Sequence, residues 1–265
     1  MSLRFTILGC GSSGGVPRIG GHWGKCDPSN PKNARRRCSM LVERIGPKGT
    51  TRVLIDASPD MRAQLLDAGV GTLDAVVMTH EHADHCHGMD DLRMIVMNTG
   101  QRVDVWMTES CAADIRTRFA YAFETPAGSN YPPILEHRAI AGPIEVTGDG
   151  GPIELAPFEV EHGNITALGF RIGGLAYLPD VSRIPEPSWP MVEGLDIWVV
   201  DALRRAPHPS HSHLSQTLDW IDRAAPARAV LTNLHTDLDY ETLRAETPAN
   251  VEPAHDMMVL ELGDA

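Results

Sequence analysis

A chain of 265 residues, 42% of them hydrophobic and 22% charged, carries enough apolar side chains for one large core, and no low-complexity tract points to disorder. Its formal net charge of −12 argues against a protein that tracks a nucleic-acid backbone, because phosphate contacts need clustered Lys and Arg. Five cysteines (Cys10, Cys26, Cys38, Cys86 and Cys111), none in CxxC spacing, argue against a disulfide framework and a closed zinc knuckle.

Near the N-terminus the longest apolar run is Phe5 to Leu8, too short for a signal peptide or a membrane span, so a cytoplasmic chain without a membrane partner is expected. Arg4 to Leu8 predicts an opening strand, followed by a Gly/Ser loop over 9–15 and a Pro-, Gly- and Asn-rich loop over 17–34. Ser39 to Glu43 and Arg52 to Ile55 bracket a Gly46–Pro47–Lys48–Gly49 turn, a hairpin signal. A helix is expected next, with Ser58 as N-cap, Pro59 in the first turn and Gly69 past the end. Asp74 to Met78 predicts a buried strand running into His80, with helices over 89–98 and 109–123 and a strand over 103–107 between them.

In the second half, strands are expected at 153–161, 168–172, 175–178, 196–200, 229–232 and 257–262, with helices at 214–224 and 240–245. Two β-rich halves, each closed by helices, predict an α/β protein of two packed sheets with helices outside. No domain boundary is evident, so residues 1–265 are expected to form a single domain.

His80, His82, Asp84 and His85 fall within six residues, between a strand and a helix. Imidazole and carboxylate are good ligands for zinc and similar ions. On an extended segment His80 and His82 face one side, while Asp84 and His85, at the turn into the helix, can serve a second ion. A surface His-rich turn is the bland alternative, but four ligating side chains at one corner have no packing purpose.

The run Thr79–His80–Glu81–His82–Ala83–Asp84–His85, with Gly88 soon after, resembles the signature of the metallo-β-lactamase superfamily. The opening Leu8–Gly9–Cys10–Gly11–Ser12–Ser13–Gly14–Gly15–Val16–Pro17 is similar to its branch of PhnP-type phosphoribosyl cyclic phosphate phosphodiesterases and, more distantly, tRNase Z. The likeness runs from residue 3 to about 262. It implies the four-layer αββα sandwich of the metallo-β-lactamase fold, and two divalent metal ions, Zn²⁺ or Mn²⁺.

The resemblance implies further ligands: His162, after the strand-like run Val160–Glu161, and Asp180, after Leu178–Pro179, which would bridge both ions. Similar proteins place a His directly after a Leu–Thr strand end, and here that position is Asn233. If the strand continues, His235 faces the same side and is expected to take the ligand's place, with Asn233 as a weak ligand or an orienting group. Asp56, closing the 53–55 strand, is expected to orient the His loop by hydrogen bonding.

The implied chemistry is hydrolysis of a small anionic phosphodiester, such as a cyclic phosphate or a nucleotide, by a metal-bridging hydroxide, with Asp84 among the catalytic ligands. His211 matches the spacing of the branch's general acid. Arg35, Arg36, Arg37 and Tyr131 are expected to touch substrate, although a solvated loop explains the arginines as well. No large nucleic acid is expected as a partner, and a homodimer is left open. Acyl hydrolysis of a lactone or thioester, or a non-catalytic carrier that kept the fold, are the alternatives.

Overall fold

Strands fall where branched and aromatic residues run together, and the computed structural model, which describes residues 2–263, sorts them into two seven-stranded sheets. The first holds Ser2–Gly9 (β1), Ser39–Gly46 (β2), Gly49–Ile55 (β3), Ala75–Val77 (β4), Val103–Met107 (β5), Leu135–Ala139 (β6) and the last strand, Met258–Leu262 (β14), in the order β14-β1-β2-β3-β4-β5-β6. The second holds Ile144–Val146 (β7), Ile153–His162 (β8), Ile165–Ile172 (β9), Leu175–Leu178 (β10), Ile197–Asp201 (β11), Arg228–Thr232 (β12) and Val251–Pro253 (β13), in the order β13-β12-β11-β10-β9-β8-β7. Both are mixed: β2 and β3 form the expected hairpin, with Gly46 opposite Gly49, whereas β3 to β6 run parallel. In the second sheet β8, β9 and β10 are antiparallel and β10 to β13 parallel.

Central parallel strands are covered on both faces, so they read as unbroken apolar runs. Ala75–Val76–Val77 and Ile197–Trp198–Val199–Val200 are buried throughout. The helix Leu214–Ala224 turns Leu214, Thr217, Ile221 and Ala224 inward, where they join a core of Leu178, Trp198, Val200 and Leu231. Each large apolar side chain buried this way contributes about 1.5–3 kcal/mol.

The chain gathers into two compact units, residues 2–8, 39–154 and 259–263 in one, 9–38 and 155–258 in the other. Their stretches alternate along the chain, which is why no linker composition marks a boundary. Among the described residues no helix is long and apolar enough to cross a membrane.

Three strands escaped the sequence pattern: β6, β7 and β13. All three are edge strands of their sheets, and edge strands tolerate charge and proline because one side needs no ladder partner. The 109–123 helix breaks at Phe119 (φ −123°) into Glu109–Arg118 and Ala120–Phe123. Ser58 is not the helix cap. Its hydroxyl accepts from the Asp60 N–H at 3.2 Å and donates to Gln64, so it braces the turn ahead of a helix that starts at Met61.

Candidate metal centre

In the first unit, the parallel register pairs Ile55 with Val77, so the residues leaving β3 and β4 emerge side by side. Asp56 leaves β3 in a left-handed turn (φ 66°) and is wholly buried. Its carboxylate accepts the Thr79 N–H at 2.8 Å, the Thr79 hydroxyl and His85 Nδ1 at 2.7 Å. Burial pushes this carboxyl above the ordinary range, while His85 and Thr79 pull the other way. Asp56 thus ties down both ends of the His loop.

With Nδ1 committed to Asp56, His85 turns Nε2 towards Asp84 at 3.6 Å. The His80 ring lies 4.6 Å from that of His82 and 4.3 Å from that of His85. His80 Nδ1 meets the Thr79 hydroxyl at 2.9 Å. The four residues read from the motif therefore assemble in one corner. Gly88 is required behind it, since a Cβ there would lie 2.0 Å from the Ser58 carbonyl oxygen. His82 and His87 line an open pocket with Ala83, Arg118 and Phe119.

In the second unit, β10, β11 and β12 run parallel, with Leu178 beside Val200 and Asp201 beside Thr232. That register brings Asp180, Asp201 and Asn233 to one end of the sheet. Asn233 donates to Asp180 at 3.3 Å and lies 3.1 Å from His211 Nδ1. Asp201 accepts from His211 Nδ1 at 2.9 Å and from the Val181 N–H at 3.1 Å. Burial pushes the Asp201 carboxyl up to about 6 against the pull of His211. His162 ends β8 at a turn where Gly163 adopts φ 64° and a Cβ would lie 2.8 Å from that of Ser210. That close approach lets His162 Nδ1 donate to the Ser210 carbonyl at 2.5 Å, and Nε2 then faces Asp180 at 3.4 Å.

These side chains fit divalent cations. His85 and His162 each give Nδ1 to a fixed acceptor, the arrangement that orients a ligating imidazole. Their Nε2 atoms stand 3.4–3.6 Å from carboxylates, beyond ordinary hydrogen-bond length and compatible with two donors sharing one cation.

Several expectations need correction. Asn233 adopts φ 60°, so β12 ends at Thr232 and the alternation that would point His235 the same way is lost. His235 instead donates Nδ1–H to Asp237 at 2.9 Å and meets Arg18 at Nε2, so Asn233 and not His235 stands beside Asp180. Arg35 is only 2% exposed and spends its guanidinium on Asn33, Cys26 and the His235 carbonyl, so it is a strut and not a substrate contact. Arg36 and Arg37 are half-buried, and the Arg36 backbone N–H donates to Asp256 at 2.8 Å. Tyr131, 75% exposed, lines a different pocket with Arg93, Tyr121, Pro126, Ser129 and Pro132.

Asp201 and Arg18 went unread in the sequence. Asp201 had a signal: like Asp56 and Asp180, it is an acidic residue at the end of a buried strand. Arg18 had none, since its role depends on a neighbour 217 positions away.

A family described as the Beta-lactamase superfamily domain matches residues 51–233, a stretch that includes both clusters. A crystal structure described as a new diphosphatase from the PhnP family superposes with a TM-score of 0.87 at 35% identity, covering 99% of this chain and 98% of that one. Zn²⁺-bound PqqB from Methylobacterium extorquens shares the fold, with a TM-score of 0.71 at 18% identity over 98% of this chain and all of that one. An octanoyltransferase from Porphyromonas gingivalis is 34% identical over 253 residues, 93% of this chain but 49% of that protein, so the chain spans about half of that relative's length. With two mixed sheets flanked by helices and a His/Asp donor set, the chain has a metallo-hydrolase architecture, and it belongs to the β-lactamase superfamily, within it to the PhnP family.

Proposed function

We propose that the chain is a cytoplasmic metal-dependent phosphodiesterase that opens a small anionic substrate, a cyclic phosphate or a nucleotide diester. The observation that carries this is the commitment of Nδ1 in His85 and His162, which presents oriented Nε2 atoms beside Asp84 and Asp180. His80, His82, Asp84 and His85 in the first unit, and His162 and Asp180 in the second, would supply the metal ligands. Zn²⁺ or Mn²⁺ suits such nitrogen and oxygen donors. When bound, the ions supply Lewis-acid charge and lower the pKa of coordinated water. The five cysteines, free and buried, accord with a reducing compartment.

The chain's own residues would then manage the proton. Attack by water on phosphorus forms one P–O bond and breaks another, and the departing oxygen needs a proton. His211, with Nδ1 held by Asp201, presents Nε2 for that transfer and regains its proton from solvent. Asn233, donating to Asp180, keeps that carboxylate in place where similar proteins carry a His.

Cleavage of a diphosphate bond is the second reading, favoured by the 35% identical PhnP-family diphosphatase. Its leaving phosphate is a weaker base than an alkoxide and depends less on His211. Metal analysis of the purified protein, with rates on bis(p-nitrophenyl) phosphate, a nucleotide diphosphate ester, a lactone and a thioester, tests the proposal. Turnover of the diester supports it, with His211→Ala costing more on a 2′,3′-cyclic nucleotide, whose leaving alkoxide needs the proton, than on the p-nitrophenyl ester. Turnover of only the lactone or thioester assigns an acyl hydrolase, and bound metal without any turnover assigns a carrier.

A further inference from the structure

Two helices of the first unit, Met61–Asp67 and Leu92–Thr99, leave a cavity of about 280 Å³ between them. Met61, Leu65 and Leu66 line it from one side and Met94 and Ile95 from the other, at the three- and four-residue spacing that sets side chains on one helix face. Facing stripes of this kind ordinarily interdigitate. Here both ends are pinned. Ahead of the two helices the Gly88 N–H donates to the Ala57 carbonyl at 2.9 Å, and at their far ends Asn98 Nδ2 donates to the Gly71 carbonyl at 2.8 Å. The helices therefore run parallel at a fixed separation, with a trough between them.

Leu66 and Met94, 64% and 54% exposed, form open rims over a buried floor of Met61, Leu65 and Ile95. The seven steps of helix from 91 to 98 rise about 10 Å, so the cavity averages about 28 Å² in cross-section. An α-helix with its side chains is about 10–12 Å across and does not fit inside. One unbranched hydrocarbon chain does. A cavity of about 150 Å³ takes up benzene, and on that scale 280 Å³ holds about ten carbons. The thioethers of Met61 and Met94 adapt their shape to such a chain.

Arg62 and Asp91 join the lining at the end where both helices begin. Arg93, next along the chain, is spent on Asp90 at 2.9 Å, so the exposed Arg62 is the cation the trough offers. Asp91 offsets part of that charge. A bare anion therefore gains little here, whereas an amphiphile also gains from burying its chain. We propose that this trough binds a medium-chain fatty carboxylate, with about eight to ten carbons lying between Leu65 and Ile95 and the carboxylate taken by the Arg62 guanidinium. The site is separate from the metal chemistry and does not depend on which bond the chain hydrolyses.

Calorimetric titration of hexanoate, octanoate, decanoate and dodecanoate into the purified protein tests this. Affinity should rise about fourfold per methylene up to about ten carbons and level off beyond, where the trough is full. Leu66→Glu and Met94→Glu change exposed rim side chains, leave the buried floor in place, and should each weaken both decanoate and 1-decanol by about 10-fold or more. Arg62→Ala should weaken decanoate about 10-fold and leave 1-decanol unchanged. No binding of decanoate, a rise that continues unbroken to dodecanoate, or wild-type binding in both rim variants overturns the proposal. Equal weakening of acid and alcohol by Arg62→Ala overturns the carboxylate as the head group. Self-association that Met94→Glu abolishes, with no decanoate bound, gives the face to a second copy of the chain instead.

Discussion

Asp56 and His85, 29 residues apart, meet at 2.7 Å in the interior of the first unit, where the carboxylate takes the imidazole Nδ1 and the Thr79 backbone N–H together. One buried carboxylate therefore sets the direction of one candidate ligand and the path of the strand exit that carries His80.

Replacing that carboxylate by Asp56→Ala leaves the Thr79 N–H and His85 Nδ1 without their buried acceptor. Metal affinity should fall about 10- to 100-fold, as for other partners of ligating histidines. Titration of the apo-protein with Zn²⁺ measures it, and unchanged affinity would mean the His loop holds its shape alone.

His211→Ala should lower turnover of an alkyl phosphodiester by about 10²–10⁴-fold with metal content preserved. Loss of metal in parallel, measured by elemental analysis, would reassign His211 as a ligand. Asp201→Asn should slow turnover less, because it disturbs the orientation of the imidazole and leaves the imidazole itself in place.

Gly88→Ala tests packing alone. The added methyl would sit 2.0 Å from the Ser58 carbonyl oxygen, so backbone must shift, at a cost of about 1–3 kcal/mol. The urea midpoint should drop accordingly, and a midpoint equal to wild type would show that the loop yields freely.

Asp256 gives the pH dependence. Burial pushes its carboxyl up to about 6 even though the Arg36 and Cys10 N–H groups donate to it. A raised carboxylate pKa means that between about pH 4 and 6 the folded chain holds a proton the unfolded chain has released. Stability from this group is thus fully present below about pH 4 and is lost as pH rises through about 6, by at most roughly 2–3 kcal/mol. The stability of wild type relative to Asp256→Asn should decline from pH 4.5 to pH 7.5, and a constant difference would show that the folded carboxyl titrates normally.

Much of this protein was legible residue by residue. Apolar runs fixed most strands, and the hairpin at 46–49 and the helix at 214–224 lie as their turn and periodicity signals require. The spacing of His80, His82, Asp84 and His85 identified the first cluster because all four sit on one short stretch whose local geometry brings them together. The second cluster was readable only through resemblance, since His162, Asp180 and His211 follow different strands. What tertiary structure alone decided was which strand ends are neighbours. The register of β10, β11 and β12 placed Asp201 beside His211, and a left-handed Asn233 turned His235 away from Asp180 to Arg18 and Asp237. Periodicity describes the faces of one segment, whereas a sheet's register and a single positive φ are settled by packing between segments, which no local pattern records.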